Sequence, residues 1–415
     1  MNPWKAAYCR AFQTAFRLAI PLLPYRVPEE LDSVREIPLK LRELNVHSVL
    51  LVTNHVLRAK GLTADLERAL SGAGIHCHIY DRTEANPTIA NAEEALAVYR
   101  EGSCGALIGF GGGSAMDCAK AVGVQVARPR TSLRKLKGIL KVHAKLPPLF
   151  AVPTTAGTGS ETTVAAILVD EKTRHKFQIS DFCLIPRYAV LDAQVTAGLP
   201  PFFTATTGLD ALTHAVEAYI GRSTTAKTRA QATEATRLIF HYLERAWADG
   251  SDLEARRGML RASYLAGSAF TVSYVGYCHC VAHTLGGMYN VPHGLANAVL
   301  LPYVLRAYGS SVYGRLKNLA VATGIASEDT LPAVASERFI REIEAMERRM
   351  QIPDKLPHIQ AADIPSLARY ADKEGNPLYP VPRLMDRREL ERFYVMAALH
   401  VGEPGGETTQ TRPER

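Results

Sequence analysis

Short apolar runs alternate with longer amphipathic stretches through the first half of the chain. HSVLLVTN (47–54) is a β-rich run ending in polar residues, and GLTADLERALSGAG (61–74) follows with helical spacing and a glycine stop. IHCHIYD (75–81) predicts a second strand and NPTIANAEEALAVYREG (86–102) a helix with a proline-containing start. CGALIGF (104–110) is an apolar strand that runs straight into GGGSAMDCAKAVGVQVA (111–127), glycines and then a helix. PLFAV (148–152) and VAAILVD (164–170) are further strands on either side of a polar loop. This alternation predicts a parallel sheet with helices on both faces. After Leu199, Pro200 and Pro201 the apolar spacing becomes helical almost to the end, as in 228–250 and 252–270. The change places a domain boundary there. An α/β domain over 1–199, with an N-terminal helix, precedes an all-helical domain over 200–415. The tail from about 402 (GEPGGETTQTRPER) has the composition of a disordered segment.

The N-terminal segment carries Phe12, Phe16 and Ile20 at four-residue spacing, which predicts a helix whose apolar face packs on the body of the protein, with a membrane-surface or subunit contact as the alternative. It also carries Lys5, Arg10, Arg17 and Arg26, with no acid before Glu29. Its apolar run is short, contains Pro21 and lacks a small-residue cleavage site, so it does not read as a signal peptide. No apolar run reaches the roughly 18 residues of a spanning helix. A net charge of +7 over 415 residues suits anionic ligands such as nucleotides without demanding nucleic acid. Seven cysteines, an odd number with no C-x-x-C spacing, predict reduced thiols and a cytoplasmic location.

Two loops are suited to phosphate. Gly111, Gly112 and Gly113 let the backbone approach a ligand closely, and the helix that follows offers free N–H groups and a positive dipole end to a pyrophosphate. Ser114 and Asp117 have the S-x-x-D spacing of a capping box. The run is not G-x-G-x-x-G, so the usual dinucleotide fingerprint is absent. The second loop lies within PLFAVPTTAGTGSETT (148–163) and is rich in hydroxyls and small residues. Lys176, just beyond it, is within sequence reach of a ribose or phosphate.

The helical half holds the candidate metal chemistry. Asp210 and His214 are four apart in TGLDALTHAVEAY (207–219), so a helix puts them on one face. His279 and His283 share that spacing, and His293 follows in a Val-Pro-His-Gly break. One carboxylate with imidazoles suits Fe(II) or Zn(II) with positions left open for a substrate oxygen. Spacing alone does not choose between His279 and His283.

Four motifs in order, GGGSAMDCAK, PTTAGTGSE, ATTGLDALTHAVEAY and the H-x3-H-x9-H segment ending PHGLANAVLLP, give the chain a specific likeness. From about residue 28 to 400 it resembles the iron-containing (group III) alcohol dehydrogenases, which share a fold with glycerol dehydrogenase and dehydroquinate synthase. The resemblance implies a Rossmann-like dinucleotide-binding domain followed by an all-α metal-binding domain, and a homodimer. It implies that Asp210, His214, His279 and His293 hold Fe(II), with Zn(II) as the alternative, and that His283 acts on the nicotinamide and substrate side as a proton relay. It implies a cofactor cleft formed by Gly111, Gly112, Gly113 and Ser114 at the pyrophosphate, with Asn86, Thr154, Thr155, Thr158 and Lys176 around it. Relatives that prefer NAD carry an Asp after the first strand. Asn54 stands there in Val52-Thr53-Asn54, which removes a repulsion against a 2′-phosphate and leaves both NAD and NADP open. A second departure is Glu30-Leu31-Asp32-Ser33, in place of a glycine-bearing segment. The implied activity is hydride transfer between a small primary alcohol or diol and NAD(P), or reduction of the matching aldehyde. The competing readings are a transhydrogenase that retains its cofactor, a zinc polyol dehydrogenase, and a non-enzymatic nucleotide-binding scaffold.

Overall fold

A computed structural model of the chain describes residues 1–173 and 175–399. The tail expected to be disordered lies outside the described residues.

Strands β1 (Glu29–Leu31), β2 (Ser48–Val52), β3 (His76–Tyr80), β4 (Ala106–Gly111), β5 (Gly138–Ile139), β6 (Leu149–Pro153), β7 (Ala165–Asp170), β8 (His175–Ser180) and β9 (Tyr188–Val190) all fall in the N-terminal half. Interleaved with them are helices α1 (Pro3–Ala19), α2 (Ile37–Glu43), α3 (His55–Ala59), α4 (Ala64–Gly72), α5 (Ile89–Glu101) and α6 (Gly113–Ala127). Six strands form a parallel sheet in the order β1-β9-β6-β4-β2-β3. The central strands read as unbroken apolar runs because both faces are covered. Val49 and Leu51 of β2 pack with Ile37, Leu41, Leu66 and Leu70 of α2 and α4. Leu50 and Val52 point the other way, toward Leu96, Tyr99, Cys118 and Val122 of α5 and α6. From β2 the chain moves outward to β3, and from β4 it moves the opposite way to β6. The crevice beyond the ends of β2 and β4 is therefore a topological switch point, where this class of sheet binds its ligands.

Run 164–170 is a strand, as its apolar pattern predicts, but it does not join the parallel sheet. β7 pairs antiparallel with β8, and β5 completes a separate three-stranded sheet. Only residues 171–174 separate β7 from β8, too few for the crossover a parallel neighbour needs.

The second half is helical: α7 (Pro201–Ile220), α8 (Ala226–Ala248), α9 (Leu253–Ser273), α10 (Tyr277–Tyr289), α11 (His293–Tyr308), α12 (Tyr313–Ala322), α13 (Pro332–Arg349), α14 (Ile364–Gly375) and α15 (Arg387–Ala397). Every residue of α7 from Gly208 to Ile220 is buried, as expected of a helix packed on all sides. The halves meet backbone to backbone. Gly159 has φ +62°, and a Cβ there would lie 2.7 Å from the Gly267 Cα on α9. A Cβ on Gly157 would lie 2.6 Å from the Thr207 Cβ on α7.

The α1 helix packs on the body, as expected, but with a face rotated from the one read off the sequence. Cys9, Gln13 and Ile20 are buried, Phe16 is half-buried, and Phe12 is exposed. Polar anchoring decides the rotation. The Gln13 Nε2 donates to the Tyr379 carbonyl at 2.8 Å, and Arg10 donates to the carbonyls of Val381 and Pro382 at 2.8 and 2.9 Å. Phe16 meets Tyr274 edge-on, with centroids 5.0 Å apart.

Candidate metal and cofactor site

Helix α7 presents Asp210, His214 and Glu217 on one face, a spacing of four and then three residues. Helix α10 supplies His279 and His283. A left-handed turn at Asn290 (φ +55°) and the break at Pro292 then bring His293 to the first position of α11. One ligand atom each from Asp210, His214, His279 and His293 falls within 4.8 Å of the others. His283 is outside this set, with its ring stacked 5.2 Å from that of His293.

The donor set fits a divalent ion. The Nδ1 of His214 and the Nε2 of His279 are fully buried, and neither has a hydrogen-bond partner among the described residues. An orphaned buried imidazole nitrogen costs on the order of 1–3 kcal/mol, which ligation of a cation would offset. Desolvation lowers the pKa of His214, drives that of His279 well down, and takes that of His293 to about 4. All three rings are then neutral at neutral pH, the form that binds metal.

Two carboxylates that sequence reasoning missed orient these histidines. The Glu217 Oε2 sits 2.6 Å from the Nδ1 of His279 and also accepts from the Gly276 N–H at 2.7 Å, while its Oε1 accepts from the Cys278 N–H at 2.8 Å. This fixes the tautomer that leaves the Nε2 of His279 facing the cluster. The Glu374 Oε1 lies 2.6 Å from the Nδ1 of His283 and accepts from the Tyr379 hydroxyl at 2.6 Å. Burial works against charge on His283, but Glu374 outweighs it and the pKa is raised. Asn297, buried on α11, donates to Asp210 Oδ1 at 2.7 Å and steadies that carboxylate. A signal for Glu217 was available, since it shares the helix face of Asp210 and His214. Glu374 had none, being 91 residues from His283.

The glycine-rich segment closes β4 at the switch point. Gly111 has φ +152°, and a Cβ there would come within 2.8 Å of the Ala115 Cβ. Gly112 faces Thr155, and a Cβ on Gly113 would touch Thr158 at 3.3 Å, so the two phosphate-loop candidates lie against each other. The Thr154 N–H donates to the Gly111 carbonyl at 3.0 Å. The Ser114 hydroxyl donates to the carbonyl of Ala85, next to Asn86, at 2.5 Å. Asn54 lies two residues beyond β2 and caps α3, its Oδ1 accepting from the Leu57 N–H at 2.9 Å. Lys176, on β8, has its pKa lowered by desolvation, and its charge is felt by His283 and His293.

The capping box is corrected. The N-cap of α6 is Gly112, and Ser114 is already inside the helix. Asp117 turns away to accept from the Ser160 hydroxyl at 2.9 Å and the Ile167 N–H at 3.1 Å. Of the tyrosines near the metal segments, Tyr277 belongs to the core, bonded to Asn376 and Met385. Tyr289 donates to Asp363. Only Tyr274 is left facing Phe16 and Tyr379.

Family models match both halves: "Iron-containing alcohol dehydrogenase" over residues 24–193 and "Fe-containing alcohol dehydrogenase family, C-terminal" over 204–398. The 1,3-propanediol dehydrogenase of Klebsiella pneumoniae is 38% identical over 388 residues, covering 92% of this chain and 98% of that protein. The lactaldehyde reductase of Escherichia coli (strain K12) is 35% identical over 345 residues, covering 81% and 90%. Among solved structures, a 1,3-propanediol oxidoreductase superposes with TM-score 0.86 at 36% identity, covering 90% of this chain and 99% of that one. The sulfoacetaldehyde reductase of Bifidobacterium kashiwanohense, solved with NAD+, gives 0.81 at 26%, covering 91% and 99%. With both halves matched and relatives aligned over nearly their whole length, the chain belongs to the iron-containing alcohol dehydrogenase family.

Proposed function

We propose that this protein is an NAD-linked, iron-dependent dehydrogenase of short alcohols and diols that also reduces the matching aldehydes. The observation that carries this reading is the convergence of Asp210, His214, His279 and His293 beside the Gly111–Gly113 crevice. The relatives named for 1,3-propanediol and lactaldehyde support the substrate class. When bound, the metal supplies Lewis acidity toward an alcohol or carbonyl oxygen. The surrounding residues do the rest. Glu217 and Asn297 hold the ligand side chains in register. Glu374 engages the Nδ1 of His283, leaving Nε2 to exchange a proton with the reacting oxygen or solvent. Gly111, Gly112, Gly113 and Ser114 take the pyrophosphate, and Asn86, Thr154, Thr155, Thr158 and Lys176 line the remaining cleft. Asn54 presents no charge against a 2′-phosphate, which leaves NADP open beside NAD. Residues 1–199 form the cofactor domain, residues 200–415 the metal domain, and the working assembly is a cytoplasmic homodimer.

The test is nicotinamide absorbance during turnover. The protein is purified without oxygen and reconstituted separately with Fe(II) and Zn(II). Short alcohols, diols and aldehydes are supplied with NAD and NADP in parallel, and His279→Ala serves as control. Iron-dependent turnover lost in the control is expected. Bound metal and a retained cofactor without turnover would favour a transhydrogenase, and no metal binding would refute the site.

A further inference from the structure

Away from the metal and dinucleotide residues, arginines gather where α1 passes the C-terminal end of α7. A cavity of about 230 Å³ opens there, lined by Arg17, Ile220, Arg222, Ser311, Arg315 and Pro382. Arg10 and Arg229 add their charge to the group. Among the described residues, no carboxylate lies within the 4.0 Å of an ion pair with any of these five guanidinium groups.

Three of the five have structural work. Arg315 donates to the carbonyls of Tyr219 and Ile220 at 3.1 and 2.7 Å, closing the C-terminus of α7 where the helix dipole favours a cation. Arg10 holds the carbonyls of Val381 and Pro382, and Arg229 donates to the Thr224 hydroxyl at 2.9 Å. The guanidinium groups of Arg17 and Arg222 are exposed and have no hydrogen-bond partner among the described residues. Desolvation first, and then the neighbouring arginines, hold Arg10 and Arg315 below the ordinary arginine range. Arginine does not relieve such crowding by losing its proton, and with no carboxylate beside the group an anion in the cavity would be favoured.

The guanidinium fork matches phosphate and carboxylate oxygens two at a time. The cavity is smaller than the ~300–1,000 Å³ of drug-sized ligand pockets, which suits a compact anion better than a dinucleotide. Arg17 lies before residue 24, where the family match begins, so the cavity joins the family core to a segment outside it. We propose that this cavity binds a compact, multiply charged phosphate, gripped by Arg17 and Arg222 and backed by Arg315. The phosphate belongs either to a free small molecule or to a lipid headgroup, since Leu18 and Leu22 beside Arg17 are 72% and 86% exposed.

Calorimetric titration of the full chain with inorganic pyrophosphate, beside an Arg17→Gln/Arg222→Gln double variant, tests this. Pyrophosphate also suits the Gly111–Gly113 loop, so the parallel titration of the variant is what isolates the arginine cavity. Saturable binding that weakens about tenfold or more in the variant is expected, as for loss of charge-assisted hydrogen bonds. Both residues are exposed, so the variant's unfolding temperature should match the wild type. Co-sedimentation with vesicles containing phosphatidic acid, whose headgroup is a phosphate monoester, forms the second arm. Variant-sensitive vesicle binding without a pyrophosphate signal would support the site and assign the phosphate to a membrane. Pyrophosphate and vesicle binding that are both absent, or both insensitive to the substitutions, would overturn the proposal.

Discussion

Glu217 is a carboxylate enclosed by α7 and α10, its pKa pushed up to about 7 by desolvation and partly restrained by the backbone N–H groups of Gly276, Cys278 and His279. Glu217→Gln keeps the volume but turns an amide group toward donors that need an acceptor. Metal affinity should weaken roughly 10–100-fold, read by competition with a chelator. An unchanged dissociation constant would remove the positioning role. Glu374 makes a different prediction. It raises the pKa of His283 above 6.5, and its own pKa is lowered below 4.5 by His283 despite burial. The pair therefore adds stability above pH 4.5 that is lost as pH rises through the folded value of His283. Glu374→Gln should lose stability mainly between pH 4.5 and 6.5, and move the His283 limb of the kcat/KM profile to lower pH. Unfolding curves on both sides of that pH, and the profile itself, check the sign. Asp210 and His214 were legible because a helix repeat lies within their own sequence. Glu217 meets His279 across 62 residues, a proximity that only the packing of α7 on α10 creates.

At the scale of elements, long periodic segments were legible and short ones were not. The runs 104–110 and 111–127 announced β4 and α6, whereas β1 and β9, three residues each, carry too little pattern to be read. The face of α1 was misread because apolar spacing favoured Phe12, while the hydrogen bonds of Gln13 and Arg10 to the 379–382 backbone turn the helix. A demanding junction lies between the 154–159 loop and α9, where Gly159 and Gly267 leave no room for a side chain. Gly159→Ala combines a left-handed backbone with a clash against the Gly267 Cα, and should cost about 2–4 kcal/mol in chemical denaturation. Because this loop carries Thr154, Thr155 and Thr158, the same substitution should raise the KM for nicotinamide cofactor. A shift in stability with an unchanged KM would separate the junction from the cleft.

Across the whole molecule, the helical half is organised around a cluster of polar side chains that packing alone does not satisfy. Stripping metal should lower the unfolding temperature, and restoring Fe(II) at about a thousandfold excess over its Kd should return about 4 kcal/mol. Identical melting curves with and without chelator would mean that the cluster is stable empty. Helix α7 also limits how such a protein can be re-engineered. Past its exposed first turn it touches the 154–159 loop through Thr207 and carries Asp210, His214 and Glu217, with every residue from Gly208 to Ile220 buried. A redesign that edits α7 would disturb the metal cluster and the 154–159 loop at once, and Tyr379 is no safer a place to cut, since its hydroxyl holds the carboxylate that orients His283; a library seeking new properties is better drawn from elements that touch neither.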